Sequence, residues 1–596
     1  MRMLLALVSF APLSLASALA GDVRQEAAEF LARYNALYKD LATAANEADW
    51  LASTDVTEEH TGERVGAHKV LAVFTGHPRI IETTKRLLAA RADLDDLAAR
   101  QLDQVLLAAA ASPGTIPDVV KQLAEAEGKQ SATLDGYTFR WQKPGSSAVV
   151  PISANDIDDL LRSSRDLNER KAVWLASKED GAALKPGLIT LQGLRNRVAR
   201  EMGFSSFFGL QVADYGMSVS EMMALLERML EETRPMYREL HYWARKQLAQ
   251  RFGEQLPRRI PAHWISNRWA QQWPGMVEGI DLDALFEEKS ATYVVKQAER
   301  FYVSLGFPEL PKSFWQKSDL YPVAAGGPRK KNSHASAWHI DLDHDVRSLM
   351  SVEPNFDWLQ TTHHELGHIY YYLSYSRPEV PPLLRDGANR AFHEAIGDLI
   401  AIAAGQVPYL RSIGLLPETT QVDRNLWLLN EALDTIVFIP FSAGVMSHFE
   451  HDLYETELSP DRWNQRWWEL CAKYQGIEPP EARGELSCDA ATKTHINDDA
   501  AQYYDYALAF LIKYQLHDHI ARHILHQDPR NCSYYGNQEV GKFLKGLLEV
   551  GRTVDWRQLL RAKTGEDIST RAMLDYFAPV MAWLKEQNQG ADTSFE

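Results

Sequence analysis

Two histidines and a glutamate stand in the middle of the chain at the spacing of a metal site. They belong to the segment His364-Glu365-Leu366-Gly367-His368. On a helix, positions i and i+4 lie on one face, so both imidazoles can bind one zinc ion with Glu365 beside them as a general base. Asn355 or Asp357 can cap such a helix, and Asn389 can cap the next predicted helix. The segment therefore predicts a zinc hydrolase centred on His364, Glu365 and His368.

A second acidic pair follows and offers the missing ligand. Glu394 lies 26 residues after His368, and Asp398 is four residues beyond it on the same predicted helix face. We expect Glu394 to be the third zinc ligand and Asp398 to fix the tautomer of a ligand histidine. A His2Glu set leaves a position open for water, which is typical of a catalytic zinc site. His363 and His393 fall on other faces, and we expect them to pack or to support the ligands.

Helices must position these groups, because apolar residues recur at intervals of three to four along most of the chain. The pattern predicts helices over residues 22–50, 81–111, 221–251, 502–525 and 569–587 and short strands over residues 138–141 and 335–340. We see no flexible interdomain linker. We therefore expect one mainly α catalytic domain over residues 21–596 with very little β-structure, and a frayed polar tail from about residue 588.

The net charge and the N-terminal sequence indicate which partners the protein can bind and where it is located. The 596 residues carry a formal charge of −17, which excludes the basic field that nucleic-acid binding needs. Residues 1–20 read as a signal peptide: Arg2, a short apolar stretch and Ala18-Leu19-Ala20. The protein is predicted to be exported, periplasmic or secreted, without a membrane span, and we expect a monomer. Any bridge among its three cysteines is left open.

Further motifs identify a resemblance. The chain is similar to the angiotensin-converting enzyme family of peptidyl-dipeptidases, in a single-domain, bacterial-type form. The resemblance implies a large helical fold of two lobes around a deep central channel, with one zinc ion at its floor. It is carried by the zinc motif and by Ile260-Pro261-Ala262-His263, His334-Ala335-Ser336-Ala337-Trp338, Arg385-Asp386-Gly387-Ala388-Asn389, Lys493-Thr494-His495-Ile496 and Met573-Leu574-Asp575-Tyr576-Phe577.

The resemblance also implies roles for individual residues. Glu365 matches the general base on the zinc-activated water, and His495 and Tyr506 match the donors that stabilise the transition state. His334 and the backbone of Ala335 match the short strand that holds an extended peptide.

Three more positions match the family's site for a free C-terminus: Gln271, Lys493 and Tyr503. Their presence implies oligopeptide substrates with a free carboxylate and the release of C-terminal dipeptides. Relatives that remove one residue have altered these positions.

The chloride-binding arginines of the animal members are absent. Asp505 and Cys471 stand at two of their positions, and the third falls near Val212. Without those cations an anion site should not form, so we expect chloride activation to be weak or absent.

Two alternatives stay open at this point. One is a different His2Glu zinc peptidase, either a single-residue carboxypeptidase or an oligo-endopeptidase. The other is a zinc-retaining peptide-binding protein with little turnover.

Overall fold

Helices dominate the structure. The computed structural model describes residues 11–273, 275–277, 282–324, 326–327 and 329–596, with the backbone alone for residues 11–21. Helix accounts for 65% of the structure and strand for 4%, which confirms the mainly α prediction. The helices before the zinc motif are α1 (Ala11–Thr54), α2 (Glu58–Thr75), α3 (Pro78–Ala89), α4 (Asp96–Ala110), α5 (Pro117–Asp135), α6 (Ala154–Ser163), α7 (Leu167–Ala176), α8 (Asp180–Met202), α9 (Phe207–Ala213), α10 (Val219–Phe252), α11 (Ala291–Ser304) and α12 (Lys312–Lys317).

The second half of the chain carries the predicted site. Three π-helical segments, Pro440–Met446, Cys471–Gln475 and Ile520–Ile524, extend helices there. The helices are α13 (Phe356–Tyr375), α14 (Arg390–Ala404), α15 (Val407–Ser412), α16 (Arg424–Ile439), α17 (Ser447–Tyr454), α18 (Trp463–Leu470), α19 (Thr494–Asp498), α20 (Tyr504–His519), α21 (Gln538–Leu548), α22 (Trp556–Thr564), α23 (Arg571–Tyr576) and α24 (Ala578–Gln587).

The strands described are short and form two-stranded sheets. The pairs are β1 (Phe139–Gln142) with β2 (Val149–Ile152), β3 (Ile260–Pro261) with β6 (Ile477–Glu478), and β4 (Ser336–His339) with β5 (Val346–Leu349). The first and last pairs are antiparallel and the middle pair is parallel. Strands β1 and β4 confirm the two predicted from the sequence.

Helices α13 and α14 pack together because glycines face each other at their contact. A Cβ atom added to Gly367 would lie 3.0 Å from the Cα atom of Gly397, and one added to Gly397 would lie 2.8 Å from the His364 ring. The N-termini of the two helices are capped as predicted, by the side chains of Asn355 and Asn389. This close approach brings the two predicted ligand motifs together.

Two of the predicted helices are interrupted. Residues 81–111 form α3 and α4, because Asp95 accepts a hydrogen bond from the backbone N–H of Ala98 and starts a new helix. Residues 569–587 form α23 and α24, and Pro579 lies in the first turn of α24, where its missing N–H is tolerated. The apolar periodicity continues across both breaks, which is why the sequence predicted continuous helices.

The expectation of a frayed tail is wrong. Phe595 is 1% exposed and its ring lies 4.5 Å from that of His241, beside Gly476. The Glu596 carboxylate forms a salt bridge with Arg234 at 2.9 Å. One aromatic side chain that finds a pocket is enough to order an otherwise polar segment.

A continuous apolar cluster includes residues from Phe139 to Phe595. The three cysteines are free and buried. Among the described residues, only the helical run Arg424–Tyr454 is long and apolar enough to cross a membrane, and 94% of its most apolar window is buried inside the protein. Its apolar surface is thus covered by neighbouring helices. The first ten residues of the predicted signal peptide lie outside the described part of the chain.

Candidate active site

The three predicted metal ligands meet between α13 and α14. His364, His368 and Glu394 offer ligand atoms that all lie within 4.8 Å of one another. The two Nε2 atoms are 3.0 Å apart, and His364 Nε2 lies 3.7 Å from a Glu394 carboxylate oxygen. Zinc binds imidazole nitrogen and carboxylate oxygen at about 2.0–2.2 Å, so one ion fits between these donors. The set of donors is that of a catalytic zinc site.

Glu365 lies beside this cluster with an unused oxygen. Its side chain is buried, and its Oε2 atom has no hydrogen-bond partner among the described residues. Burial raises the pKa of Glu365 to about 7, with the His364 cation lowering it and Glu394 raising it. A buried carboxylate oxygen needs a polar partner, and this one is free to accept a proton from a bound substrate or water.

Each ligand histidine is held through its second ring nitrogen. His364 Nδ1 lies 3.1 Å from Asp398, whose other oxygen lies 3.3 Å from Lys513 Nζ. His368 Nδ1 lies 2.6 Å from His393 Nδ1. When Nε2 faces the metal, the proton sits on Nδ1, so each histidine donates to its neighbour. The prediction for Asp398 thus applies to His364, while His393 supports His368.

His363 has a structural environment. It is fully buried, with Nδ1 at 2.7 Å from the Leu359 carbonyl oxygen and Nε2 at 3.0 Å from the Tyr409 hydroxyl. Both nitrogens are satisfied within the fold, which fits the packing role expected from its helix face.

His495 and Tyr506 approach each other from α19 and α20. Their Nε2 and hydroxyl atoms are 3.3 Å apart. Burial lowers the pKa of His495 to about 4, and the Lys493 cation acts in the same direction, so the imidazole is neutral at pH 7. A neutral imidazole still donates one hydrogen bond, as the tyrosine hydroxyl does. Both groups can therefore stabilise developing negative charge.

An ion-pair network connects the His495–Tyr506 pair to helix α14, which carries Glu394. Arg390, four residues before Glu394, forms two hydrogen bonds to Asp499 at 2.9 and 2.7 Å. Its Nε atom lies 3.2 Å from the buried Asp505, which also accepts a hydrogen bond from the Tyr215 hydroxyl. Arg390 thus joins the start of α14 to the start of α20. It also opposes the effect of burial, which raises the pKa of Tyr506.

The three residues predicted to bind a carboxylate lie together. Lys493 Nζ donates to the side-chain Oε1 atom of Gln271 at 2.8 Å, and the Tyr503 hydroxyl lies 3.4 Å from the same atom. Burial and the like charges of Lys178 and Arg268 lower the pKa of Lys493 to about 7. The Tyr503 ring packs 4.9 Å from His495 and 5.0 Å from Tyr506. Gln271, Lys493 and Tyr503 therefore lie next to the His495–Tyr506 pair.

His334 and Ala335 immediately precede strand β4. Among the described residues this strand pairs with β5 alone. Its Ala337 and His339 carbonyl oxygens accept hydrogen bonds from the Tyr372 hydroxyl and the Asn46 side chain, so an extended peptide would pair at the start of the strand, at His334 and Ala335. Burial raises the pKa of Glu394, and the exposed His334 is among the groups that act against this shift.

A cavity of about 560 Å³ opens beside this site. Asp398 and Lys513 are part of its wall, so it begins directly behind the His364 ligand. The remaining polar wall is rich in carboxylates, contributed by Asp283, Asp357, Asp423, Glu431 and Asp434.

Several residues around the site were not found from the sequence. Arg390, Asp499 and Lys513 support it, and Lys178 and Arg268 lie near Lys493. Their ion pairs and hydrogen bonds join segments far apart in the sequence, and none belongs to a motif with a mechanism of its own. A lysine or arginine inside an apolar segment was the only available signal, and it did not identify a partner.

Comparison with known proteins agrees with this geometry. The sequence profile of the family described as angiotensin-converting enzyme matches residues 22–595. Angiotensin-converting enzyme of Bos taurus is 34% identical over 73% of this chain, and that of Rattus norvegicus is 33% identical over 75%. The chain spans about one third of the length of these relatives, 34% and 35%. The protein of that name from Theromyzon tessulatum is 27% identical over 96% of this chain and 94% of its own length. With its His2Glu cluster, the chain therefore belongs to the angiotensin-converting enzyme family of zinc metallopeptidases.

Proposed function

We propose that this metallopeptidase is a peptidyl-dipeptidase that removes dipeptides from the free C-termini of oligopeptides. The observation that carries the proposal is the anchor group of Lys493, Gln271 and Tyr503 next to the His495–Tyr506 pair. A buried ammonium with an amide and a phenol suits one carboxylate. Two extended residues span about 7 Å, so an anchor at that distance from the reacting carbonyl would set the product length.

The roles of the chain's own groups follow from their positions. When bound by His364, His368 and Glu394, zinc supplies a Lewis acid that polarises the peptide carbonyl and acidifies water. Glu365 takes the proton of the attacking water on its unpaired oxygen and returns it to the leaving amine. Asp398 and His393 keep the ligand rings oriented.

The substrate is held on both sides of the cleaved bond. His334 and Ala335, at the start of β4, would align the peptide backbone in an extended conformation. His495 and Tyr506 donate to the oxygen that gains negative charge as water attacks. The adjoining cavity offers room for substrate side chains.

The location, the oligomeric state and the response to chloride are proposed as well. We propose export of a monomer that takes oligopeptides as its partners. Chloride activation should be weak, because Asp505 binds Arg390 and Tyr215 within the fold and carries a negative charge, which repels chloride.

The test is mass spectrometry of a ten-residue peptide digested by the purified protein, with and without a chelator. Successive losses of two residues from the C-terminus, abolished by the chelator and by Glu365→Gln, are expected. Loss of single residues or internal cleavage would keep the zinc site and refute the anchor.

The two alternatives make different predictions in the same experiment. A carboxypeptidase or endopeptidase of the same zinc class would give single residues or internal fragments. A peptide-binding protein would retain zinc and peptide without any cleavage, but the complete set of Glu365, His495 and Tyr506 argues against it.

A further inference from the structure

Two buried lysines, Lys493 of the anchor group and Lys178 beside it, have no carboxylate in contact. Lys178 is 3% exposed and Lys493 is 5% exposed. Among the described residues, no carboxylate lies within 4.0 Å of either Nζ atom. Lys178 donates only to the Thr492 hydroxyl, at 3.2 Å, and Lys493 only to Gln271. An unpaired buried charge is costly, so this region favours an anion from outside the fold.

The carboxylates nearest to Lys178 do not neutralise it. Asp489 acts on its pKa from beyond ion-pair distance and is itself bound by Arg483 at 2.6 Å. Asp180 likewise acts only from a distance. The third cation of the region, Arg268, is paired with Asp158 at 2.9 Å. Lys178 therefore has carboxylates near it but none in contact, and burial lowers its pKa to about 7, so an anion bound beside Lys493 would favour its charged form.

Trp269 joins Lys178 to the anchor. The Nζ atoms of Lys178 and Lys493 lie 4.9 and 4.5 Å from the centre of its ring, so they are about 9 Å apart at most. The indole N–H donates to the same Thr492 hydroxyl that Lys178 binds. Thr492 directly precedes Lys493, so a short rigid path connects the two lysines. The aromatic ring and the burial exclude water, which leaves the charge of Lys178 weakly screened at the anchor.

We propose that Lys178 determines specificity for a free C-terminus, its charge acting across Trp269 on the substrate carboxylate that Lys493 binds. This inference rests on the proposed function. Lys178 is a positioning residue in this scheme and need not touch the peptide. A unit charge at about 9 Å in a poorly screened site should change the affinity for an anion about tenfold, which corresponds to ~1.4 kcal/mol.

The test compares one hexapeptide as a free acid and as a C-terminal amide. For each variant, kcat/KM is measured for both forms, and the ratio of acid to amide is taken. In Lys178→Gln, which can keep the hydrogen bond to Thr492, the ratio should fall about tenfold through KM of the acid, with the amide unaffected. Lys178→Arg, which keeps the charge, should preserve most of the ratio.

Controls separate this effect from folding and from net charge. Lys171→Met removes an exposed charge that is paired with Glu481, and it should leave the ratio unchanged. Lys178→Met provides a second neutral variant if Lys178→Gln does not fold. A fall by the same factor for acid and amide would indicate a structural role and overturn the inference.

Two further results distinguish the possible failures. A wild-type protein that cleaves acid and amide equally would refute the proposed function itself. A wild-type preference for the acid that persists unchanged in Lys178→Gln would refute only the role of Lys178. The measurements are made in chloride-free buffer and repeated with chloride. An effect of Lys178→Gln that appears only with chloride would assign the charge of Lys178 to an inorganic anion and overturn the inference.

Discussion

Replacement of Asp398 by asparagine should weaken zinc binding without removing a ligand. The carboxylate lies between His364 Nδ1 at 3.1 Å and Lys513 Nζ at 3.3 Å. The asparagine side chain would keep the shape and one acceptor but lose the negative charge that holds the His364 ring and makes its other nitrogen a stronger donor. The substitution would also leave Lys513, whose side chain is 10% exposed, without this partner.

The size of the effect follows from the contacts. A hydrogen bond to a charged group contributes about 1.5–3 kcal/mol and a neutral one about 0.5–1.5 kcal/mol. Their difference of about 1–2 kcal/mol corresponds to a five- to thirtyfold loss of zinc affinity. This overlaps the lower part of the range of about ten- to a hundredfold seen when supporting residues of metal sites are replaced.

The assay is a titration of the zinc-loaded protein with a chelator, in which bound zinc is measured directly. The half-point should move to a lower chelator concentration by that factor, with the fold intact by circular dichroism. Asp434→Asn is the matched control, because Asp434 lines the same cavity and acts on Lys513 but has no hydrogen bond to a ligand histidine. An unchanged half-point for Asp398→Asn, or an equal shift for both variants, would refute the reasoning.

Three other outcomes are expected. With a free-acid peptide, kcat/KM should fall as pH rises through about 7, where Lys493 loses its proton. In Lys493→Arg, which stays charged, this alkaline limb of the pH profile should move up by more than one pH unit. A limb unchanged in that variant would assign it to another group. Gly397→Ala should displace the His364 ring and lower zinc affinity at least tenfold by the same titration, since the methyl group would lie 2.8 Å from it. Turnover should change less than twofold between chloride-free buffer and ~0.1 M NaCl; a several-fold rise would contradict the role given to Asp505.

The zinc motif was predictable because it depends on local geometry. The i, i+4 spacing places His364 and His368 on one face of any helix, and the same holds for Glu394 and Asp398. Asn355 and Asn389 mark the helix starts through capping chemistry that acts within three residues. The positions of Lys493, Gln271 and Tyr503 came instead from family resemblance, since no local rule assigns a carboxylate site to them.

The interrupted helices and the ordered tail show where local rules fail. Near Asp95 an N-cap, which contributes about 1 kcal/mol, starts a new helix although the apolar periodicity continues. The order of the tail depends on a pocket for Phe595 beside His241 and Gly476, far away in the sequence. Such a contact leaves no trace in the sequence around residue 595.

The sequence by itself thus predicted the helical class, the His2Glu cluster and the position of Glu365, the proposed general base, because these follow from spacing within a helix and from donor chemistry. Tertiary structure alone decided how close α13 and α14 come at Gly367 and Gly397, and which cations surround Lys493. It also placed Arg390 between the metal helix and α20. These features depend on packing between distant segments and on exclusion of water. Burial, rather than residue type, sets the pKa of each charged group and how far its charge is screened.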